Sequence, residues 1–266
     1  MPCASLPATE GGNTSATGSL QRVRDRVEPP TGGASGADSR PRHVVLRPRL
    51  HALLEEGIRG RLTLVSAPPG SGKTVLLQTW LASRENLERV ALVSLADVDP
   101  TAQAFWSVVA GSLVGATDAR PPPDDASEAA LVATLVAALE GDEPLLLVID
   151  DFQAVAGEAV LRPLTRLLRH APSQLRVVLA TRRDPDLELH RLRLEGVLRE
   201  IRARELAFTE EEAGELFVDA GCMLDGGQLS SLVERTEGWA AALRFAALSL
   251  AERTDVDVFV DAFERS

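Results

Sequence analysis

The sequence predicts an α/β protein: a five-stranded parallel sheet flanked by helices, followed by a small all-helical part. From residue 43 onward, short apolar runs alternate with amphipathic stretches, which is typical of parallel strands joined by crossover helices. The run at residues 145–149 is apolar throughout, as expected for a strand covered on both faces. From residue 209 onward, only helical patterns occur.

The individual elements follow from these patterns. The predicted strands are residues 62–66, 90–95, 145–149, 176–180 and 198–201. The predicted helices before the last segment are residues 74–83, 101–114, 127–139 and 158–170. Thr209 followed by Glu212 forms the pattern of a capping box, so a helix is expected to begin there. Gly226 and Gly227 are interpreted as a separator before two further helices at residues 228–236 and 239–251.

The chain of 266 residues is long enough for one large domain and a smaller partner. Residues 1–42 are rich in small and polar residues without apolar periodicity, and we predict a disordered tail there. We assign residues 43–204 to the sheet domain and residues 205–266 to a helical subdomain.

The composition excludes several classes of protein. The net charge of −11 argues against a nucleic-acid-reading surface on this chain. No apolar stretch approaches the roughly 18 residues of a membrane span. Residues 1–38 hold no apolar run long enough for a signal peptide, so none is expected. Cysteine is limited to Cys3 and Cys222, so a disulfide framework is not expected. These features predict a cytoplasmic protein without a membrane partner.

Of the 28 lysine and arginine residues in the chain, Lys73 is the single lysine and all the others are arginines. A coding bias toward arginine explains the excess, but then a single retained lysine indicates a place where arginine cannot serve. A compact ammonium fits into a phosphate-binding loop that a wide guanidinium would not enter.

Residues 67–74 read Ala-Pro-Pro-Gly-Ser-Gly-Lys-Thr between a predicted strand and a predicted helix, which is the context of a P-loop. The glycines allow backbone N–H groups to point at phosphate oxygens, and the helix N-terminus adds positive charge. Lys73 would reach the terminal phosphates, and the Thr74 hydroxyl would bind Mg²⁺. Ala67 replaces the first glycine of the motif. The residues predicted to contact the nucleotide here are Pro68, Pro69, Gly70, Ser71, Gly72, Lys73, Thr74 and Val75.

Two acids and an arginine complete the predicted site. Asp150 ends an apolar strand, which is the Walker-B pattern, and is predicted to hold Mg²⁺. Asp151 follows where many ATPases place a glutamate that orients water. Arg182 leaves the next predicted strand, which we expect between the strands of the P-loop and Asp150, and could sense the γ-phosphate. The alternatives are a helix cap for the acids and a surface ion pair for Arg182. No Asn-Lys-x-Asp loop is present, so ATP is favoured over GTP.

Several segments in order resemble a known family. They read "RPRL", "LTLVSAPPGSGKT", "LLLVIDDFQ", "LATRRDPDL", "LREIRARELAFTEEEAGELF" and "TEGWAAALRFAALSL". Together they resemble the N-terminal half of the MalT-like, large ATP-binding LuxR-type transcription regulators, which are STAND-class P-loop NTPases. The resemblance covers about residues 43–250.

The resemblance implies a switch, in which ADP holds a closed form and inducer with ATP favours a self-associating form. It also implies that a helical subdomain closes over the base. Trp239 is then expected near adenine and ribose, with Val45 and Arg47 forming the opposite wall. The unknown inducer and the DNA target would be bound by other parts, because no DNA-binding domain is present in this chain.

The sequence departs from the family in two places. Ala242 stands where the family usually has glycine, and the chain stops at Ser266, before a winged helix would begin. Two other functions remain open. An arginine-rich stretch at residues 182–204 could imitate the lid of a small-molecule kinase, and a non-hydrolysing module could merely retain nucleotide.

Overall fold

A computed structural model describes residues 44–84, 89–117, 127–139, 143–170 and 172–251. The predicted disordered tail and the end of the predicted helical subdomain lie outside these residues. The sheet has five parallel strands, which confirms the predicted fold. The strands are β1 (Leu62–Ser66), β2 (Val90–Ser94), β3 (Leu145–Asp150), β4 (Leu175–Thr181) and β5 (Leu198–Arg202).

The strand order is β2-β3-β4-β1-β5, so β4 lies between β1 and β3 as the sequence predicted. Ser66 at the end of β1 is opposite Thr181 at the end of β4, and Leu179 is opposite Ile149 of β3. The carboxyl ends of these three strands therefore meet at one edge of the sheet, where parallel α/β folds bind ligands.

Helices cover both faces of the sheet and continue after it. They are α1 (Pro48–Gly57), α2 (Lys73–Ala82), α3 (Ala102–Ala116), α4 (Glu128–Ala138), α5 (Glu158–His170), α6 (Leu189–Leu194), α7 (Ala203–Leu206), α8 (Glu210–Asp219), α9 (Gly226–Thr236) and α10 (Ala240–Ala251). Three of them, α1, α6 and α7, are absent from the sequence prediction. The helices α6 and α7, of six and four residues, carry too few turns to show a clear apolar period. The ten-residue α1 has Pro48 at its first position and Leu50 and Leu54 buried one turn apart, so its signals were present and were missed.

The prediction that Gly226 and Gly227 separate two helices is wrong. Both glycines lie in the first turn of α9, where Asp225 is the N-cap and forms a capping box with Gln228. Glycine is tolerated in that turn because the first N–H groups of any helix lack an intrahelical partner, and the cap at Asp225 stabilises the helix start by accepting from the Gln228 N–H. The capping box predicted for Thr209 and Glu212 is present at the start of α8.

Two hydrophobic clusters lie on opposite faces of the sheet, which explains why β3 is buried along its whole length. A third cluster belongs to the helices that follow the sheet and has Ala213, Phe217 and Leu243 at its centre. Val45, which precedes α1, also packs into this third cluster. The helices α8, α9 and α10 are called the helical group below. Val45, in the segment before the sheet, is therefore part of the core of the helical group.

Arg47 and Arg49, just before α1 and at its start, form hydrogen bonds and ion pairs with Glu212 of α8. The guanidinium of Arg47 donates to Glu212 at 2.9 Å and to the carbonyl of Ala207 at 2.8 Å. Arg49 donates to both carboxylate oxygens of Glu212, at 2.8 and 2.9 Å. Burial alone would raise the pKa of Glu212, but the hydrogen bonds from Arg49 and Arg47 outweigh burial and hold that pKa below its usual value.

The guanidinium of Arg47 also lies over the ring of Phe208, 4.2 Å from the ring centroid. The predicted boundary between residues 204 and 205 falls inside the short helix α7. Because the segment before α1 packs with the later helices, the division into two domains at that point stays a prediction. Among the described residues, no helix is long and apolar enough to cross a membrane.

Glu212→Ala is expected to lower the free energy of unfolding by about 3 kcal/mol. The change leaves the buried Arg47 guanidinium without its carboxylate and removes one half of the capping box. Urea denaturation followed by circular dichroism measures this loss. The control is Glu211→Ala, because Glu211 is exposed on the same helix turn. Equal effects of the two variants would contradict the role given to the Arg47–Glu212 pair.

Candidate functional site

The loop at residues 67–74 leaves β1 and leads directly into α2. Gly70 and Gly72 both have left-handed backbones, with φ of +74° and +81°. Such φ values are costly for residues with a side chain, which explains the glycines at these two positions. Ala67 is not among the residues with positive φ, so its methyl group fits at the start of the loop. The Ala67 N–H donates to the carbonyl of Thr181 and ties the loop to β4.

The Lys73 side chain folds back over the loop. Its ammonium donates to the carbonyls of Ala67 at 2.7 Å and Pro68 at 3.0 Å. The hydroxyl of Ser71 donates to the same Pro68 carbonyl at 2.9 Å. Burial lowers the pKa of Lys73, whereas the negative charges of Asp150 and Asp151 raise it. The ammonium is therefore held at the loop with acidic groups nearby.

Asp150 is buried at the last position of β3. Its carboxylate accepts a hydrogen bond from the Asp151 N–H at 2.9 Å. Burial raises the pKa of Asp150 above its usual value, although the nearby Thr74 hydroxyl partly opposes that shift. Thr74 and Asp150, the two residues predicted as metal ligands, therefore lie near each other.

Gln153 links two predicted catalytic residues and was missed by the sequence analysis. Its amide N–H₂ donates to the carboxylate of Asp151 at 2.8 Å, and its amide oxygen accepts from the Arg182 N–H at 3.1 Å. Asp151 has a left-handed backbone with φ of +56°, which turns the chain sharply after β3. The sequence offered no signal for Gln153, because its role depends on two strand ends being adjacent.

Arg182 follows Thr181, the last residue of β4, whose carbonyl accepts a hydrogen bond from the Ala67 N–H of the loop. Its positive charge lowers the pKa of Lys73, but less than burial does. The predicted contact of its side chain with a γ-phosphate stays a prediction. The carbonyl of the neighbouring Arg183 accepts from the hydroxyl of Thr181 at 2.9 Å. Both arginines are exposed, so their side chains are free to meet a ligand at this edge.

A cavity of about 430 Å³ opens beside the start of α2. Its walls come from the segment before α1, from α2 and from the helical group. The lining residues are Val44, Val45, Arg47, Gly72, Val75, Leu76, Thr79, Phe208, Leu216, Ala240 and Arg244. The walls are largely apolar, and the volume is typical of a small-molecule site.

The predicted base-pocket residues lie in two places. Val45 and Arg47 line the cavity, together with Val75, which was predicted as a contact of the phosphate loop. Trp239 is not among the lining residues, and its indole lies on the loop instead, donating to the Pro69 carbonyl at 3.2 Å. Arg244 lines the cavity and was not singled out from the sequence, which carries no motif for it.

The chain matches the family model described as "AAA domain" over residues 58–186. It is 34% identical over 224 residues to the HTH-type transcriptional regulator MalT of Yersinia enterocolitica and 32% identical to that of Yersinia pestis. Each alignment covers 79% of this chain and 24% of the relative. The chain therefore spans about a quarter of the length of these regulators.

Two solved structures share the fold. A Walker-type ATPase of Pyrococcus abyssi superposes with a TM-score of 0.55 at 15% identity, covering 83% of this chain and 71% of the other. A STAND protein with a tetratricopeptide repeat sensor from Pyrococcus horikoshii gives a TM-score of 0.53 at 15% identity, covering 83% of this chain and 32% of the other. At this identity the likeness concerns the fold alone.

Lys73→Ala is expected to abolish binding of a fluorescent ATP analogue while leaving the fold intact. The side chain donates only to loop carbonyls, so its loss removes a phosphate contact rather than core packing. Lys73→Arg keeps the charge and is expected to bind weakly as well, because a guanidinium is too wide for the loop. Fluorescence titration with parallel urea denaturation tests both variants. Unchanged affinity in Lys73→Ala would refute the loop assignment.

Proposed function

We propose that this chain, an AAA-type P-loop NTPase related to the MalT regulators, is a signalling ATPase module that binds Mg²⁺–ATP and Mg²⁺–ADP and changes conformation between them. One observation carries the proposal. The Lys73 ammonium, the Thr74 hydroxyl and the Asp150 carboxylate converge at one sheet edge beside an apolar cavity. Phosphates, cation and nucleoside would therefore each have a place.

The groups around Asp150 fit a magnesium ion. Hydroxyl and carboxylate oxygens are the hard ligands that Mg²⁺ accepts, and Mg²⁺ is commonly held by one or two protein ligands plus phosphate oxygens. The buried carboxylate of Asp150 has a raised pKa, chiefly because burial disfavours its charge. A divalent cation would stabilise that charge and neutralise part of the phosphate charge. We assign Thr74 and Asp150 to the metal.

The apolar cavity is proposed to hold the nucleoside. Val75 is 44% exposed at the start of α2 and offers an apolar surface next to the loop. Val45 supports the opposite side from the core of the helical group. Arg47 lines the cavity, but its guanidinium is bound by Glu212 and covers Phe208, so it shapes the wall. A nucleoside there would contact both the sheet domain and the helical group.

Hydrolysis is proposed to be slow. Asp151 would orient the attacking water, with Gln153 holding its carboxylate, and Arg182 would meet the γ-phosphate. An aspartate is one methylene shorter than the glutamate used by many ATPases, so it would hold water less closely. A slow reaction suits a switch whose state is set by whether the γ-phosphate is present.

The relatives' names extend the proposal to transcription regulation. MalT is described as a helix-turn-helix transcriptional regulator, and the present chain corresponds to about a quarter of it. We propose that ATP favours self-association, that an inducer acts on this equilibrium, and that DNA is read by a different region from the one described. The net charge of −11 is consistent with a module that does not itself read DNA.

No specific observation favours either alternative function, the small-molecule kinase or the non-hydrolysing nucleotide-binding module. The arginine-rich stretch at residues 182–204 contains α6 and the strand β5, which pairs with β1 along its full length. Residues 198–202 are therefore part of the sheet, and Leu189 and Leu192 of α6 are buried in one of the two clusters beside it. The stretch is packed into the domain and does not form a separate lid of the kind that a small-molecule kinase closes over its acceptor. A non-hydrolysing module differs from the proposed ATPase in one measurable quantity, which is the turnover of ATP.

Asp150→Asn is expected to weaken Mg²⁺-dependent nucleotide binding by about tenfold or more and to change Mg²⁺-free binding much less. The substitution removes the negative charge proposed to face the cation, and contacts to charged groups contribute roughly 1.5–3 kcal/mol. Titration of ADP with Mg²⁺ or with a chelator measures the difference. Asp186→Asn is the control, because Asp186 is an exposed acid outside the site. Equal losses in both conditions would remove Asp150 from the metal site.

Arg182→Ala is expected to spare ADP affinity and to weaken binding of a non-hydrolysable ATP analogue by about tenfold to a hundredfold. ADP lacks the phosphate that the guanidinium would meet, and a charge-assisted hydrogen bond contributes roughly 1.5–3 kcal/mol. The matched control is Arg183→Ala, which removes the same group one residue further along the chain. ATPase rates measured alongside would show whether the contact forms only in the transition state.

Two outcomes would contradict the assignment of Arg182. A selective loss of ATP binding in Arg183→Ala would place the sensor one residue later. Equal losses for ADP and the ATP analogue in Arg182→Ala would mean that the arginine supports the fold and does not respond to the γ-phosphate.

A further inference from the structure

We infer that Trp239 is a positioning residue for the phosphate loop and that it acts on the loop backbone rather than on the base. The inference rests on the proposed nucleotide site, since it assigns part of that site's phosphate affinity to the helical group. It differs from the expectation from the family resemblance, which placed Trp239 near adenine and ribose.

Two hydrogen bonds join the start of α10 to the tip of the loop. The indole N–H of Trp239 donates to the Pro69 carbonyl at 3.2 Å, and the N–H of Ala241 donates to the Gly70 carbonyl at 3.0 Å. In a planar trans peptide, the carbonyl and the following N–H point in opposite directions. Holding these two carbonyls toward α10 therefore turns the N–H groups of Gly70 and Ser71 away from it, and loop N–H groups are what bind phosphate.

The contact is also tightly packed. A Cβ atom placed on Gly70 would lie 2.7 Å from the Cβ of Ala241 and 3.1 Å from Cζ2 of the Trp239 ring. Those distances leave no room for any side chain between the loop and α10. Gly70 is thus required twice, by its φ of +74° and by the approach of the helix. The loop tip and α10 fit each other as one packed unit.

A rigid corner sets the position of Trp239. Gly238 has φ of +67°, and its carbonyl accepts from the Phe208 N–H at 2.8 Å. A Cβ on Gly238 would lie 2.6 Å from the Phe208 carbonyl oxygen, so this corner also admits only glycine. The Phe208 ring packs under Arg47, which is bound to Glu212. The indole is therefore connected to the core of the helical group through a continuous set of contacts.

The Trp239 side chain is too exposed for its role to be core packing. Trp80 and Trp106 are 0% and 1% exposed, whereas Trp239 is 47% exposed. Its ring lies on the surface of the loop and contributes to none of the three hydrophobic clusters. Removing the ring should consequently disturb the loop more than the fold.

The consequence is a direct connection between phosphate binding and the helical group. When α10 is docked, two peptide planes of the loop are fixed in the orientation that receives phosphate. When α10 moves away, those planes are free to rotate and phosphate affinity falls. Binding of phosphate and docking of α10 therefore favour each other, and by linkage the two effects are equal in size.

The test compares Trp239→Ala and Trp239→Phe with the wild-type chain in titrations with inorganic pyrophosphate, ADP and adenosine. Trp239→Ala is expected to weaken pyrophosphate and ADP binding by similar factors, about tenfold, and to leave adenosine binding unchanged. Trp239→Phe keeps a ring over Gly70 but loses the N–H donor, so an intermediate loss of about threefold to fivefold is expected, in line with one net hydrogen bond. Phe245→Ala is the control, because Phe245 is 68% exposed on the same helix and lines neither the cavity nor the loop contact.

Fluorescence supplies a readout that a purely structural role would not change. The other two tryptophans are buried, so the difference between the wild-type and Trp239→Phe emission spectra isolates Trp239. Pyrophosphate is expected to change this isolated emission and to have the same effect in Phe245→Ala. Urea denaturation of each variant confirms that the fold is retained.

The outcomes separate the two proposals. Wild-type binding that is unaltered in Trp239→Ala would overturn the present inference and leave the proposed function standing. A loss of adenosine and ADP affinity with unchanged pyrophosphate affinity would place Trp239 at the base and also overturn it. A wild-type chain that binds none of the three ligands would overturn the proposed function, and this inference with it.

Discussion

The position of β4 between β1 and β3 is the constraint on which the site depends. Three strands that are far apart in sequence end at one edge because they are parallel neighbours in the sheet. The loop after β1, Asp150 at the end of β3 and Arg182 after β4 are brought together by that order alone. The Ala67–Thr181 and Gln153–Arg182 hydrogen bonds then cross the gaps between the strand ends. A different strand order would scatter the same residues along the sheet edge.

A second constraint concerns how the helical group meets the sheet domain. Burying the Arg47 guanidinium costs solvation, and the pair with Glu212 offsets that cost only while both partners are in place. The pair fixes the segment before α1 against α8, next to the Phe208 backbone that forms the Gly238 corner. The apolar cavity is bounded on both sides by elements held through these contacts. Opening the helical group would therefore dismantle the cavity wall and release the loop tip together.

The sequence predicted the sheet and offered candidate site residues because both kinds of signal are local, and the roles of those residues stay predictions. The apolar run of β3, the two glycines of the loop and the lone Lys73 are signals within a few adjacent residues. Gln153, Arg244 and the location of Trp239 could not be predicted, since each depends on which distant element lies next to it. The error at Gly226 has a different origin. Asp225 and Gln228 form a local capping box that stabilises the helix start despite the poor helix propensity of two glycines. The helices α6 and α7 are too short to show an apolar period, whereas the ten-residue α1 carried local signals that were missed.

The central claim is that one nucleotide is held jointly by the loop and the helical group. The most direct test is a crystal structure of the chain with Mg²⁺–ADP. The account predicts that the β-phosphate lies against the N–H groups of the loop with the metal beside Thr74 and Asp150. It also predicts that adenine occupies the cavity between Val45 and Val75, with α10 still docked on Gly70. A base bound outside that cavity, or phosphates bound away from the loop, would contradict it.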